Sequence, residues 1–165
     1  MIPGLRVIAD YVTPTEEAAL ITLFEDRGTP RALASHGPGP GYSVGNEVPH
    51  QPPALIAALC DRLVVDGIVQ HRPDSIGVGE YLPGDVLPPH IDQLHGGEEI
   101  TILGLAGHVD MVFSRGPMTV VVPFQRRALL QMRDDCRYLW QHSVPMVTER
   151  RFGVVFRHYI DGGRR

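Results

Sequence analysis

The sequence has no lysine; all 15 of its basic residues are arginine. Genomic base composition explains that absence more simply than function does. There are only two cysteines, Cys60 and Cys136, too few for a disulfide framework and not spaced as a C-x-x-C pair. Reduced thiols in an intracellular, cytoplasmic setting are therefore expected. No apolar run approaches the ~18 residues needed to cross a bilayer. The opening Met1-Ile2-Pro3-Gly4-Leu5-Arg6 also lacks the basic-then-apolar order of a signal peptide, so no membrane partner is expected. Long helices are disfavoured as well, because 18 glycines and 15 prolines punctuate the chain throughout. What is present is an ordinary globular balance, 43% hydrophobic and 21% charged, which argues against wholesale disorder. At 165 residues the expectation is one domain, 1–165.

The net charge of -4 is unevenly spread. Residues 1–75 carry 5 arginines against 9 acids, 76–112 no arginine against 6 acids, and 113–165 ten arginines against 4 acids. An acidic middle suits a cation and a basic end suits anions. Solvated surface charge would give similar numbers.

Local signals predict a helix at about 14–27. Thr13 is a good N-cap, Pro14 fits the first helical position, and Glu16 completes a capping box. Leu20, Ile21, Leu23 and Phe24 supply its apolar face and Gly28 a stop. A short strand is expected at 5–8, and a second helix at 53–66 with Leu55, Ile56, Leu59, Cys60 and Leu63 on one side, ended by Gly67. Residues 28–50 read as a loop, with Tyr42 and His50 as contact residues. From residue 76 short β-rich runs follow one another at 76–82, 100–105, 108–113, 118–123, 127–132, 137–141 and 152–159. Such strands without intervening helices indicate a sandwich or jelly roll, mainly β with flanking helices.

Three features in the β region carry chemistry. His90-Ile91-Asp92 places an imidazole and a carboxylate two residues apart, on one side of an extended segment. With His142 they make the two-histidine, one-carboxylate set of non-haem iron(II) oxygenases, which leaves coordination positions open. His71, His95, His108 and His158 compete as ligands on spacing alone, and a zinc hydrolase uses the same residue types. The third feature is Arg151 and Arg157, an even separation that puts both guanidiniums on one face of a strand. Buried there, they require carboxylates, either of a dicarboxylate co-substrate or of protein acids.

Glu80-Tyr81-Leu82-Pro83-Gly84, His90-Ile91-Asp92, Arg137-Tyr138-Leu139-Trp140-Gln141-His142 and Arg151-Phe152-Gly153-Val154-Val155-Phe156-Arg157, in that order, resemble the AlkB family of iron(II)/2-oxoglutarate dioxygenases. Ile2-Pro3-Gly4-Leu5 and the helix after it resemble small bacterial members, so the resemblance covers most of the chain. It implies a double-stranded β-helix, a jelly-roll core at 76–159, with the helices of 1–70 shaping substrate recognition. It implies iron(II) on His90, Asp92 and His142, and 2-oxoglutarate held by Tyr81, Arg151 and Arg157. Oxygen is the further co-substrate, and oxidative dealkylation or hydroxylation of a nucleic acid base the expected reaction. A base must be unstacked to enter such a pocket, so single strands or flipped bases are expected, with Arg126, Arg127, Arg164 and Arg165 toward phosphate. A protein or small-molecule hydroxylase or demethylase is the alternative on the same scaffold. Gly79 and Gly153 depart from the family, many of whose members carry Asn and Asn or Ser there, which removes hydrogen bonds near the co-substrate.

Overall fold

Thr13 does at the first helix what its sequence context predicts. In the computed structural model, which describes residues 2–26, 41–45 and 50–160, its side chain accepts the Glu16 amide at 3.1 Å while Glu16 Oε2 accepts the Thr13 amide at 2.7 Å. Two otherwise orphaned helix-end donors are thereby satisfied. In chain order the elements are β1 (Leu5–Ile8), α1 (Pro14–Glu25), β2 (Gly41–Val44), α2 (Ala54–Val65), β3 (Ser75–Tyr81), β4 (Leu87–His90), β5 (Ile100–Leu105), β6 (Val109–Arg115), β7 (Met118–Phe124), β8 (Leu129–Met132), α3 (Asp134–Leu139), β9 (Gln141–Val144) and β10 (Arg151–Arg157). A 3-10 turn covers Leu94–Gly96. Among the described residues no helix is long and apolar enough to cross a membrane.

The strands form a six-stranded sheet, β1-β8-β5-β10-β3-β2, and a four-stranded sheet, β4-β9-β6-β7. From β3 onward the chain alternates between the sheets in jelly-roll fashion except at the β6–β7 hairpin, giving the double-stranded β-helix expected from the sequence. Strand periodicity then divides the interior. On β10, Phe152, Val154 and Phe156 face a cluster shared with Leu20 and Phe24 of α1 and Ile56, Cys60 and Leu63 of α2. The alternate residues Arg151, Gly153, Val155 and Arg157 line a cavity between the sheets, beside a second cluster that includes Met111, Phe113 and Phe124. The helices thus cover one face of the larger sheet and leave the other for the site.

Three local expectations are corrected. The run 137–141, read as a strand, is mostly the short helix α3, entered through Asp134 in a left-handed conformation (φ 48). Its few apolar residues fit either period, and the buried Cys136 and Arg137 decide the matter through tertiary contacts. The segment Leu87-Pro88-Pro89-His90 is a strand that two prolines concealed; it is tolerated because β4 is an edge strand, paired with β9 across a register irregularity. Residues 41–44, expected as loop, form β2, which pairs parallel with β3. The remaining expectations for 27–40 and 46–49 lie outside the described residues. Tyr42 is no contact residue in the cavity: it is fully buried in the core, with its ring edge-on to His50.

Candidate metal centre and co-substrate pocket

β4 and β9 create the centre by register. His90 at the end of β4 is the direct cross-strand partner of His142 on β9, and their ring centroids lie 4.3 Å apart. Two residues on, Asp92 turns back so that Oδ1 is 3.6 Å from His90 Nε2. One donor atom from each of His90, Asp92 and His142 lies within 4.8 Å of the others, the one such cluster among the described residues. The competing histidines go elsewhere. His71 stacks on His158, His95 packs on Tyr159, and His108 bonds Glu149.

The donor chemistry fits a metal. His90 Nδ1 sits 2.8 Å from the Pro88 carbonyl oxygen, which can only accept, so Nδ1 carries a proton and Nε2 is the nitrogen turned toward Asp92. His142 is 5% exposed, and burial pulls its imidazole down to about 4, so it is neutral at neutral pH. Asp92 stays ionised: burial opposes its charge, but the hydrogen bond with His90 and the Arg157 guanidinium hold it well below the usual carboxylate range. The same hydrogen bond raises His90 above its ordinary value, ahead of the opposing effect of burial. Two imidazoles and one carboxylate suit iron(II), which would displace the Nε2 proton of His90 on binding.

Beside this set lies the arginine pair. Arg151 is the cross-strand partner of Tyr81, and its guanidinium carbon lies 5.5 Å from the Tyr81 ring centroid and 5.3 Å from that of Phe124. Arg151 is 2% exposed, yet its Nε and Nη2 are buried without a hydrogen-bond partner. Burial pulls its pKa down to about 10. A buried cation with unused donors beside a cavity is complementary to a carboxylate. Burial also raises the Tyr81 phenol above its ordinary value, so it remains protonated and able to donate. Arg157 differs from its partner: Nη2 lies 3.4 Å from Asp92 Oδ2, an ion pair with a protein acid. Leu87, Ile102, Met111, Phe124, Val144 and Val155 complete the lining.

Phe124 and Arg137 were not singled out by sequence reasoning. Phe124 is one apolar residue in an alternating strand. Arg137 lies in the motif Arg137–His142, whose spacing alone gives it no role. Conversely, the described arginines of the basic C-terminal third do not form the free cationic surface that its composition suggests. Arg126 grips Glu17, Arg127 pairs with Asp10, Arg115 with Asp135, Arg133 with Glu99, and Arg150 with Glu25 and Glu80. Arg164 and Arg165 lie outside the described residues.

A jelly roll carrying a His-Asp-His set next to an unsatisfied buried arginine offers the donor types that non-haem iron(II) oxygenases use. No family model matches the sequence. It is 28% identical over 185 residues to uncharacterized protein L905 of Acanthamoeba polyphaga mimivirus, covering 95% of this chain and 85% of that one. It is 30% identical over 168 residues to the tRNA (carboxymethyluridine(34)-5-O)-methyltransferase alkbh8 of Xenopus tropicalis, covering 93% of this chain and 26% of that protein. The chain therefore spans about a quarter of that relative's length. The solved structure of OsALKBH1 superposes with a TM-score of 0.69 at 15% identity, over 96% of this chain and 99% of that one. Over most of its length the chain is thus similar to proteins of ALKBH name, and it shares the fold of one of them.

Proposed function

We propose that the protein is an iron(II)- and 2-oxoglutarate-dependent dioxygenase that dealkylates or hydroxylates a nucleic acid base presented single-stranded or flipped out. The observation that carries the reading is Arg151, a buried guanidinium with unused donors that lines the cavity also holding the His90–Asp92–His142 set. Iron(II) bound there supplies the redox chemistry that couples oxidative decarboxylation of the 2-oxo acid to oxidation of a substrate C–H bond. His90 and His142 would hold the iron by ring nitrogens, and Asp92 by an anionic oxygen. Arg151 binds the far carboxylate of the co-substrate, with Tyr81 donating from the neighbouring strand. Arg157 neutralises Asp92 and borders the metal-proximal end. The apolar lining excludes water from the reacting groups.

The nucleic-acid assignment draws support from relatives named for tRNA modification. The second reading, a protein or small-molecule hydroxylase, is favoured by a specific observation: the described arginines of the C-terminal third are held by protein acids or turned inward, which leaves little free charge for phosphate. Succinate release tests both. With iron(II), 2-oxoglutarate and oxygen, turnover stimulated by alkylated oligonucleotides supports the first reading. Stimulation by peptides or small molecules alone overturns it in favour of the second. Absence of a visible charge-transfer band with iron(II) and 2-oxoglutarate under anaerobic conditions refutes the dioxygenase assignment itself.

A further inference from the structure

Arg137 is one of the largest fully buried side chains, 2% exposed, and it bonds three carbonyl oxygens. Nη1 donates to Asp92 at 2.9 Å, Nη2 to Gln93 at 2.7 Å and Nε to Gly97 at 3.1 Å. Burial lowers its pKa, and nearby Asp92 favours its charge. These acceptors span the whole turn that follows the Asp92 carboxylate. The other side of that turn is fixed too. The Ile160 amide donates to the His95 carbonyl at 2.9 Å, and a Cβ on Gly97 (φ +87) would sit 2.3 Å from the His158 carbonyl oxygen. The turn is therefore clamped between α3 and the end of β10. Arg137 also lies on the helix that leads directly into β9, five residues before His142.

We propose that Arg137 is a positioning residue for the metal ligands: from the helix that delivers His142, it grips the backbone of Asp92, Gln93 and Gly97 and so fixes the Asp92 carboxylate relative to His142 before a metal binds. The planar guanidinium is suited to this, because its donors diverge at fixed angles and can reach carbonyls at both ends of one turn. A lysine ammonium is a compact point charge on a flexible stem and reaches fewer of them. The role rests on the metal-centre reading, but its structural half does not need a metal.

The test uses the full chain, Arg137→Gln and Arg137→Lys, and Mn(II) as a redox-inert probe. In the metal-free protein, amide exchange at Gln93–Gly97 is expected to accelerate at least about tenfold in Arg137→Gln and less in Arg137→Lys. Mn(II) affinity is expected to fall by about 10–100-fold in Arg137→Gln, with partial recovery in Arg137→Lys. Leu63→Ala, which weakens the distant helix cluster, serves as the control and is expected to lose stability with Mn(II) affinity within about twofold of wild type. Unchanged exchange in the turn, or Mn(II) affinity that falls equally in Leu63→Ala, overturns the proposal. If Arg137→Gln does not fold, Arg137→Lys carries both measurements with the same criteria. If wild-type protein and His142→Ala bind Mn(II) alike, the metal-centre reading fails, while the metal-free exchange measurement still decides whether Arg137 holds the turn.

Discussion

Replacing Arg151 by methionine should make the ligand-free protein more stable while destroying its use for 2-oxoglutarate. Core substitutions ordinarily destabilise, so the sign is diagnostic. Arg151 is 2% exposed, its Nε and Nη2 have no partner, and burial takes its pKa from 12.5 to about 10. That difference corresponds to roughly 3 kcal/mol of disfavoured charge, at about 1.4 kcal/mol per tenfold change in the proton equilibrium. Methionine keeps much of the length and the packing between Tyr81 and Phe124 without the charge. Allowing for imperfect refilling, a gain of ~1–3 kcal/mol is expected. Binding should move the other way, since removing one partner of a buried charge pair costs about 3–5 kcal/mol, at least about a hundredfold in 2-oxoglutarate affinity. Urea unfolding of both proteins, with and without Mn(II) and 2-oxoglutarate, reads both effects. Relative to Mn(II) alone, 2-oxoglutarate at about 100 Kd should stabilise wild type by about 2.7 kcal/mol, and the variant hardly at all. A variant less stable than wild type without ligand, or one stabilised equally by 2-oxoglutarate, would refute the claim that Arg151 awaits a carboxylate.

Two further expectations concern the frame around the site. Burial works against the charge of Glu17, but Arg126, the Ala106 amide and Arg127 hold its carboxyl below its ordinary 4.5. As pH falls, the unfolded chain takes up that proton first, so this stabilisation is present above about pH 4.5 and is lost as pH drops further through the native value. Glu17→Gln should flatten the acid limb of a stability–pH curve and cost about 2 kcal/mol at pH 7; an unaltered acid limb would contradict the assignment. The glycines facing the cavity separate two physical cases. A Cβ on Gly153 would meet Tyr81 Cε2 at 3.8 Å and Ile102 Cγ2 at 4.0 Å, whereas one on Gly104 would meet Phe124 Cζ, the Gln125 carbonyl oxygen and Arg151 Nη2 at 3.2 Å. Thermal unfolding should show Gly153→Ala stabilised by about 0.5–1 kcal/mol through reduced backbone entropy, and Gly104→Ala destabilised by about 1–3 kcal/mol through overpacking. Equal effects would refute the argument from space.

Local chemistry made much of the chain legible. The Thr13–Glu16 capping box, the apolar stripe of α2 and the short alternating runs of β5, β6 and β7 each depend on neighbours within a few residues, which the sequence displays directly. The same holds for His90 and Asp92, whose two-residue spacing on an extended segment limits where their side chains can point. β4 was hidden because its two prolines argue against a strand unless the segment lies at a sheet edge, and edge position is a property of the assembled sheet. α3 was misread because a short apolar run fits either period, and the carbonyls that receive Arg137 lie some forty residues earlier.

The sequence by itself determined the donor types, their order and the β-rich architecture, because residue identity and strand periodicity are local quantities. Only the tertiary structure decided that His142 stands across from His90, that Arg151 has unused donors while Arg157 pairs with Asp92, and that Arg126 and Arg127 are held by acids near the N-terminus. Pairing, burial and desolvation arise when distant segments meet, and no spacing within the chain encodes which charge will find a partner and which will be left facing a cavity.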